Sequence, residues 1–488
     1  MNLIGSRIRP YVPLIPVCVG VFIAADDQTV IVTVLPSIIV DFGILPTNLD
    51  KAAWTITGYL LGYLVVMPLI GRLSDSLGHR KLFAASMIIF GIGSAAVALA
   101  PELSWLITAR VFQSIGAGAM IPISIAIAGD ILPSGKRGPA YGLIGASAEA
   151  GGVLGPLWGG LVTKFLDWPW VFWLNIPLGL VVLIMIRLML APSKGSKTRV
   201  DYLGGLLIAI TLTSLTLALD RISSPDLILG GYVIAFVIST ALFIVRGNLI
   251  DSPLIAISAF KNTAFASANI AHILIGAALI TGMVTIPLMA NTTMSLSPLE
   301  GGLRLLRLTA AIPIGAILGG VACVYFEYRL PAITGLLLAS LGFMFMSGWD
   351  ITIGEPLLTI QLAITGLGFG LLIAPITLAV TESVIDRDRG TAASIVTASR
   401  TTGMTLGLAA LTAWGAARFE NIAPAAEWPF QLHEETAVDL QNRLSDYDSL
   451  LTETAMTVFK EFFIIATFLC LSALIPCVLF KWRKKRQC

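Results

Sequence analysis

The sequence predicts an all-α polytopic membrane protein: two six-helix bundles with two linker helices inserted between them, 14 transmembrane helices in all. Three observations carry this. Of the 488 residues, 56% are hydrophobic and only 12% charged, more apolar surface than a soluble domain of this size uses. Apolar stretches of roughly 20 residues, enough to cross a bilayer, recur along the whole length. Lys and Arg gather in alternate connections, as they do on the cytoplasmic side of membrane proteins.

In chain order the first six stretches are 13–40, 52–72, 82–100, 105–129, 140–162 and 170–190. The inserted pair is 203–220 and 228–246, and the last six are 264–290, 302–322, 331–348, 357–379, 391–414 and 461–480. The units are therefore 1–191, a linker unit 192–260, and 261–488. The first stretch runs past Asp26 and Asp27 with no small-residue cleavage site, so a retained helix is expected, not a signal peptide. Basic residues fall at Arg7 and Arg9, at Arg72, Arg80 and Lys81, at Lys136 and Arg137, at Lys194, Lys197 and Arg199, at Arg387 and Arg389, and in the tail from Lys481 to Arg486. The count puts all of these on one side, so both termini are expected in the cytoplasm.

The segment 415–458 is the exception: acid-rich, nearly free of base, and expected outside. Beyond Pro429, Val438, Leu440, Leu444, Tyr447, Leu451, Ala455 and Phe459 keep helical spacing. The final helix is expected to begin near Glu434 and run to about Phe480. At about 1.5 Å per residue it is roughly 70 Å long, against a hydrocarbon core of about 30 Å. The last two helices of the second bundle (its eleventh and twelfth, leaving out the inserted pair) are therefore expected to extend outside the membrane as a stalk.

The stretch from Tyr141 to Val162 is the focus of the chain. Gly151, Gly155 and Gly159 recur every fourth residue and present a face that a second helix can approach backbone to backbone. Pro156 removes one backbone donor. Glu149 has no neighbouring charge in sequence, and a carboxylate inside a membrane helix costs a few kcal/mol, about 3 on insertion scales, so it marks a functional site with a partner elsewhere.

Gly71-Arg72-Leu73-Ser74-Asp75-Ser76-Leu77-Gly78-His79-Arg80-Lys81 joins the second and third stretches. Its glycines permit a tight turn, and Asp75 is placed to accept donors at a nearby helix N-terminus. This run resembles the loop signature of the major facilitator superfamily, with His79 where the family usually has Arg. Arg110, within Leu106 to Gly118, resembles the family's proton-handling Arg motif. Glu149 before Gly155-Pro156-Leu-Trp-Gly159 resembles its antiporter motif. Asp27-Gln-Thr-Val-Ile-Val-Thr-Val-Leu-Pro36 resembles the first-helix signature of the fourteen-helix drug:proton antiporter branch.

Further runs resemble the triacylglyceride-exporting members of that branch in mycobacteria, which work with an external lipid-carrier lipoprotein. These are Tyr59 to Tyr63, Val171 to Pro177, and Ser399-Arg400-Thr-Thr-Gly403-Met404 through Phe419. The resemblance implies proton coupling at Asp27, with Arg110 as its partner, and an ion lock between Glu149 and Arg400. It implies a conformational motif at Gly71, Asp75, Gly78 and Arg80, and helix packing at Gly151, Gly155, Pro156 and Gly159. It also implies a bacterial cytoplasmic membrane, a lipid-carrier partner, and action as a monomer. The connection Trp349 to Pro356 is short where those members carry a larger external insertion, so delivery on the outer face is expected to differ.

The residues point the same way without the family. Glu149 and Arg400 each lie about ten residues into outward-running helices, roughly 15 Å deep, and Asp27 lies at a similar depth. Charges of opposite sign at one level suit a central cavity. Asp26 and Asp27 point about 100° apart on a helix, so one of them faces that cavity, and the motif selects Asp27.

Other functions find no support. The cysteines, Cys18, Cys323, Cys470, Cys477 and Cys488, form no C-x-x-C, and His79, His272 and His433 are scattered, so neither metal nor disulfide framework is expected. No catalytic triad or carboxylate pair is visible, so the chain is expected not to be an enzyme and to need no cofactor, only protons. Gly366-Leu-Gly368-Phe-Gly370 lies in an apolar helix with no strand before it and reads as close helix packing. A net charge of +2 gives no reason to expect nucleic acid. The expected function is proton-coupled export of triacylglyceride or a similar apolar lipid by alternating access. The alternative is a multidrug:proton antiporter for amphipathic drugs, and a third class is a membrane receptor or scaffold that transports nothing.

Overall fold

The computed structural model describes residues 9–45, 49–193, 195, 200–221, 226–250, 253–255, 257–422 and 437–480. The basic residues Arg7, Lys194, Lys197 and Arg199, the tail from Lys481, and the expected helix start near Glu434 lie outside these.

The described residues form helices and no strand. The first bundle comprises α1 (Ile15–Asp41), α2 (Leu49–Leu77), α3 (His79–Ala98), α4 (Leu103–Ile131), α5 (Arg137–Phe165), α6 (Pro169–Trp173) and α7 (Asn175–Met189). The inserted pair is α8 (Tyr202–Asp220) and α9 (Leu227–Leu249). The second bundle comprises α10 (Thr263–Thr292), α11 (Pro298–Tyr325), α12 (Arg329–Met346), α13 (Glu355–Thr381), α14 (Arg389–Ile422) and α15 (Ala437–Val478).

Helix ends follow local chemistry. Asp201 accepts from the Gly204 amide at 2.9 Å to start α8, and Asp226 from the Leu229 amide at 2.8 Å to start α9. Ser297 and Glu300 form a reciprocal capping box at the start of α11. Gly78 takes a φ of 93° between α2 and α3, where a side chain would be strained and a Cβ would press on the Ser193 carbonyl. The stretch predicted as one helix over 170–190 is two, α6 and α7. Pro177 has no amide to offer the Trp173 carbonyl four residues back, so the ladder breaks there and Asn175 opens the second piece.

Among the described residues, 12 helices are long and apolar enough to cross a membrane, α6 and α7 counting together as one. The two long helices left out are α5, with 29 residues, and α14, with 34. They are less apolar because they carry glycines, hydroxyls and the charges Glu149 and Arg400. The chain is a multi-pass membrane protein.

Within the first bundle α1 packs along α5, and α4 along both α2 and α3. The glycine face of α5 is filled by α1: a Cβ at Gly151 would meet the Phe22 carbonyl, at Gly155 the Thr29 hydroxyl, and at Gly159 the Thr33 hydroxyl. In the second bundle α10 packs on α14 and α15, and α13 on α11 and α12. Its core includes Phe343 against Phe369 and Phe463, with Trp349 edge-on to Phe463. The pair α8–α9 packs on itself and rests against α2.

The halves meet along α5–α11 and α2–α14. Their closest approaches lie on the side of the 71–81 loop. Gly71 abuts the Gly390 carbonyl, Gly138 the Gly320 carbonyl and Gly142 the Ala316 carbonyl. Helix α15 has 42 residues, roughly 63 Å of helix, about twice the hydrocarbon thickness.

Candidate functional site

Two buried ionic centres and one loop-side latch contain the charged residues singled out in the sequence. The first centre lies inside the first bundle. Arg110 of α4 donates to Asp27 Oδ2 of α1 at 2.7 Å, and neither side chain has any exposed surface. The second oxygen of Asp27, Oδ1, accepts from Gln113 Nε2 and from Asn175 Nδ2, each at 2.9 Å. Arg110 also donates to Gln113 Oε1 at 3.0 Å, and its guanidinium lies 4.0 Å from the Tyr59 ring centroid. The carboxylate thus takes three side-chain donors, and the cation has an anion and an aromatic face. This is the set a desolvated ion pair needs to persist.

The second centre bridges the halves. Arg400 of α14 donates to Glu149 Oε1 of α5 at 2.6 Å, with side-chain exposures of 23% and 19%. The backbone around it is held on both sides, by Ser399 donating to Asn269 at 3.0 Å and by His272 donating from Nδ1 to the Val396 carbonyl at 2.8 Å. This pair has fewer supporting bonds than the first and more exposure, so it opens at lower cost.

The latch joins the 71–81 loop to the start of α14. Asp75 accepts from the Gly390 amide at 2.9 Å, the Thr391 amide at 3.0 Å and the Thr391 hydroxyl at 2.8 Å. These are the unpaired donors of a helix N-terminus, where negative charge is favoured. Beside it Arg72 pairs with Asp388 at 2.8 Å, and Arg389 reaches Asp386 and the Gly129 carbonyl. His79 contacts Ser74 through Nδ1 at 2.5 Å and Asp130 through Nε2 at 3.2 Å. Arg80 turns the other way, donating to the Arg187 carbonyl at 3.2 Å and, through its amide, to Ser193 at 3.0 Å.

The structure thus brings Asp27 to Arg110, Glu149 to Arg400, Asp75 to the α14 N-terminus, and Gly151, Gly155 and Gly159 to α1. Pro156 lies within an unbroken α5. It does not bring Asp27, Glu149 and Arg400 into one cluster. Asp27 is enclosed within the first bundle and does not line a passage between halves, because α4 and α7 supply donors that draw it inward. Gln113, Asn175 and Tyr59 had no assigned role from sequence. Their signal was their position within the quoted Arg110, Val171–Pro177 and Tyr59–Tyr63 runs. Arg72–Asp388 and Arg389–Asp130 join residues hundreds of positions apart; Arg389 had been read only as a topology marker, and Arg72 as that and as a member of the Gly71–Lys81 run, with no partner foreseen for either.

Two helical bundles docked through ionic bridges across their seam, in a multi-pass membrane chain, define a transporter-like two-body fold. The match of residues 17–408 to the Major Facilitator Superfamily model agrees, and the chain belongs to that superfamily of membrane transporters. It is 35% identical over 421 residues to a triacylglyceride transporter of Mycolicibacterium hassiacum, covering 82% of this chain and 78% of that one. It is 33% identical over 448 residues to a triacylglyceride transporter of Mycobacteroides abscessus, covering 87% and 86%. A triacylglyceride transporter of Mycobacterium tuberculosis is 34% identical over 435 residues, covering 83% and 82%. The fold is also that of the transporter FucP in its outward conformation, with TM-score 0.59, 12% identity and coverage of 94% and 98%. The human organic anion transporter MFSD10 gives TM-score 0.61 and 14% identity, with coverage of 94% and 99%.

Proposed function

We propose that this chain is a proton-coupled secondary transporter that exports triacylglyceride or a similar apolar glycerolipid across a bacterial cytoplasmic membrane by alternating access. The observation that carries the reading is the Glu149–Arg400 bridge. It is an ion pair between halves, partly exposed, on helices otherwise lined by glycine, alanine and hydroxyls. A seam whose carboxylate, Glu149, is already neutralised by Arg400 suits an uncharged cargo. The triacylglyceride transporters similar to this chain support the same substrate class.

In this reading the halves rock about the bridge. The latch holds the loop side shut while the other side is open. Proton binding at the first bundle's carboxylates, with Asp27–Arg110 as the coupling pair, shifts the balance of states, because a ligand drives a transition only through unequal affinity for its two ends. The same reading gives the chain fourteen spans, with both termini in the cytoplasm and α15 partly outside the membrane. Near its outer half a cavity of about 550 Å³ is lined by Leu288, Phe419, Leu451, Phe459 and Phe462, with Asp448 the one charge. Such a surface would guide an apolar chain past the headgroups to a lipid-carrier lipoprotein.

The test is lipid movement by the purified protein in vesicles, with and without a pH gradient. Gradient-driven transfer of triacylglyceride is expected. Movement of amphipathic drugs with no lipid transfer would replace this reading with multidrug antiport.

A further inference from the structure

Asp27 is saturated, but its neighbour is not. Asp26 is only 8% exposed, yet among the described residues no hydrogen bond or ion pair reaches its carboxylate. An unpaired charge at this depth is costly, and a carboxyl group escapes that cost by holding a proton. Every cation near it is committed. Arg110 of α4 is bound to Asp27, and Arg400 of α14 to Glu149 of α5. Tyr59 of α2 also faces α1 here, its hydroxyl donating to the Ala24 carbonyl at 3.4 Å, and Tyr63 stacks on Tyr59.

A polar face leads away from Asp26. Thr29, Thr33, Ser37 and Asp41 follow at spacings of three, four, four and four, within about 60° either side of Asp26 on the helix. The Thr29 and Thr33 hydroxyls lie against Gly155 and Gly159 in the α1–α5 seam. Each donates to its own helix, Thr29 to the Asp26 carbonyl at 3.2 Å and Thr33 to the Val30 carbonyl at 2.9 Å, which leaves oxygen lone pairs free to accept. Side chains four apart stand about 5–6 Å from one another, a gap one water bridges. Ser37 and Asp41 then line a cavity of about 650 Å³ with Thr163, Asp167 and Trp168, at the end of α1 remote from the latch.

We propose that Asp26 is a second proton-binding site, separate from the Asp27–Arg110 pair, loaded from the acid-lined cavity along the Thr33–Thr29 face of the α1–α5 seam. The carboxylate takes one proton to become a carboxylic acid and returns it when the halves rock. No ion pair breaks in either step, whereas protonating Asp27 would strand Arg110. The inference rests on the proton-coupled reading for its role in transport, but the binding site itself does not need the lipid assignment.

The test uses the full-length purified protein. Infrared difference spectra across a pH titration read protonated carboxyl groups directly, without cargo. Wild type is expected to show a titrating aspartic-acid carbonyl band that vanishes in Asp26→Asn and is replaced by a glutamic-acid band in Asp26→Glu. A band that persists unchanged in Asp26→Asn overturns the proposal. In vesicles, Asp26→Asn is expected to lower gradient-driven transfer about tenfold or more while gradient-free exchange stays within about twofold, with Asp26→Glu restoring coupling. Equal loss of both modes overturns the coupling role. Thr33→Val, which keeps shape and removes the hydroxyl, is expected to slow proton-driven transfer alone; no change refutes the route. A wild type with the Asp26 band but no lipid transfer keeps the site and sinks the substrate reading instead.

Discussion

Replacing Asp27 by Asn changes one oxygen to an amide and leaves every helix position intact. It also leaves the Arg110 guanidinium, which has no exposed surface, without its anion. Breaking a buried pair by removing one partner costs about 3–5 kcal/mol. The Tyr59 face at 4.0 Å is already in contact in wild type and offsets none of this, so the full loss of about 3–5 kcal/mol is expected. For a unit the size of one bundle each kcal/mol moves the melting temperature by about 2–4 °C, which gives a drop of roughly 6–20 °C. Thermal unfolding in detergent, followed by intrinsic tryptophan fluorescence, reads it. The pair Asp27→Leu with Arg110→Met removes both charges and should recover most of the loss, since an apolar replacement of a buried pair is often neutral. A single variant melting within about 1 °C of wild type would show that Arg110 is solvated or paired elsewhere, and the account of this centre would be wrong. In transport the single variant should be impaired; if it moves cargo under a proton gradient as fast as wild type, the coupling role of Asp27 is wrong.

Three more outcomes follow from the same geometry. Exchanging the bridge charges, Glu149→Arg with Arg400→Glu, should restore transport that either single change reduces about tenfold or more, because the 2.6 Å contact needs opposite signs and not a given direction; vesicle transfer rates measure it. Asp75→Asn replaces an anion at the start of α14 by a neutral amide and loses about 1–2 kcal/mol of charge-assisted bonding, so a cysteine placed at Ser394 should label severalfold faster from the loop side. Gly155→Leu drives a side chain into Thr29 and the Asp26 carbonyl, and should lower the yield of folded protein sharply in size-exclusion profiles, while Gly160→Leu, with open space beside it, should not.

Most of the helical architecture is legible along the chain because membrane helices announce themselves locally. About 20 apolar residues in a row mean a span, and glycine, proline, Asp and Ser at their ends mean caps and turns. The limits are instructive. α5 and α14 are the two long helices without a stretch apolar enough to read as a span, because a seam between moving halves needs glycines, hydroxyls and charge where lipid would need leucine. The break between α6 and α7 had a local signal in Pro177, but its consequence, Asn175 aimed at Asp27, did not. The two arginines of the latch looked like topology markers, since a basic residue in a loop reads the same whether or not an acid meets it from the other half.

Residue order alone settles where the chain can cross a bilayer, which helix faces are small, and which charges are too costly to be accidental, since each depends on neighbours within a few turns. Folding settles who answers those charges. Asp26 and Asp27 are adjacent and chemically identical, and motif alone chose between them. Packing gives Asp27 three donors from α4 and α7 and, among the described residues, gives Asp26 none, because a rotation of about 100° turns one toward the bundle interior and the other toward the glycine seam. That difference separates a carboxylate bonded to Arg110 from one that no described side chain answers, and it arises from long-range contacts to which sequence neighbours are blind.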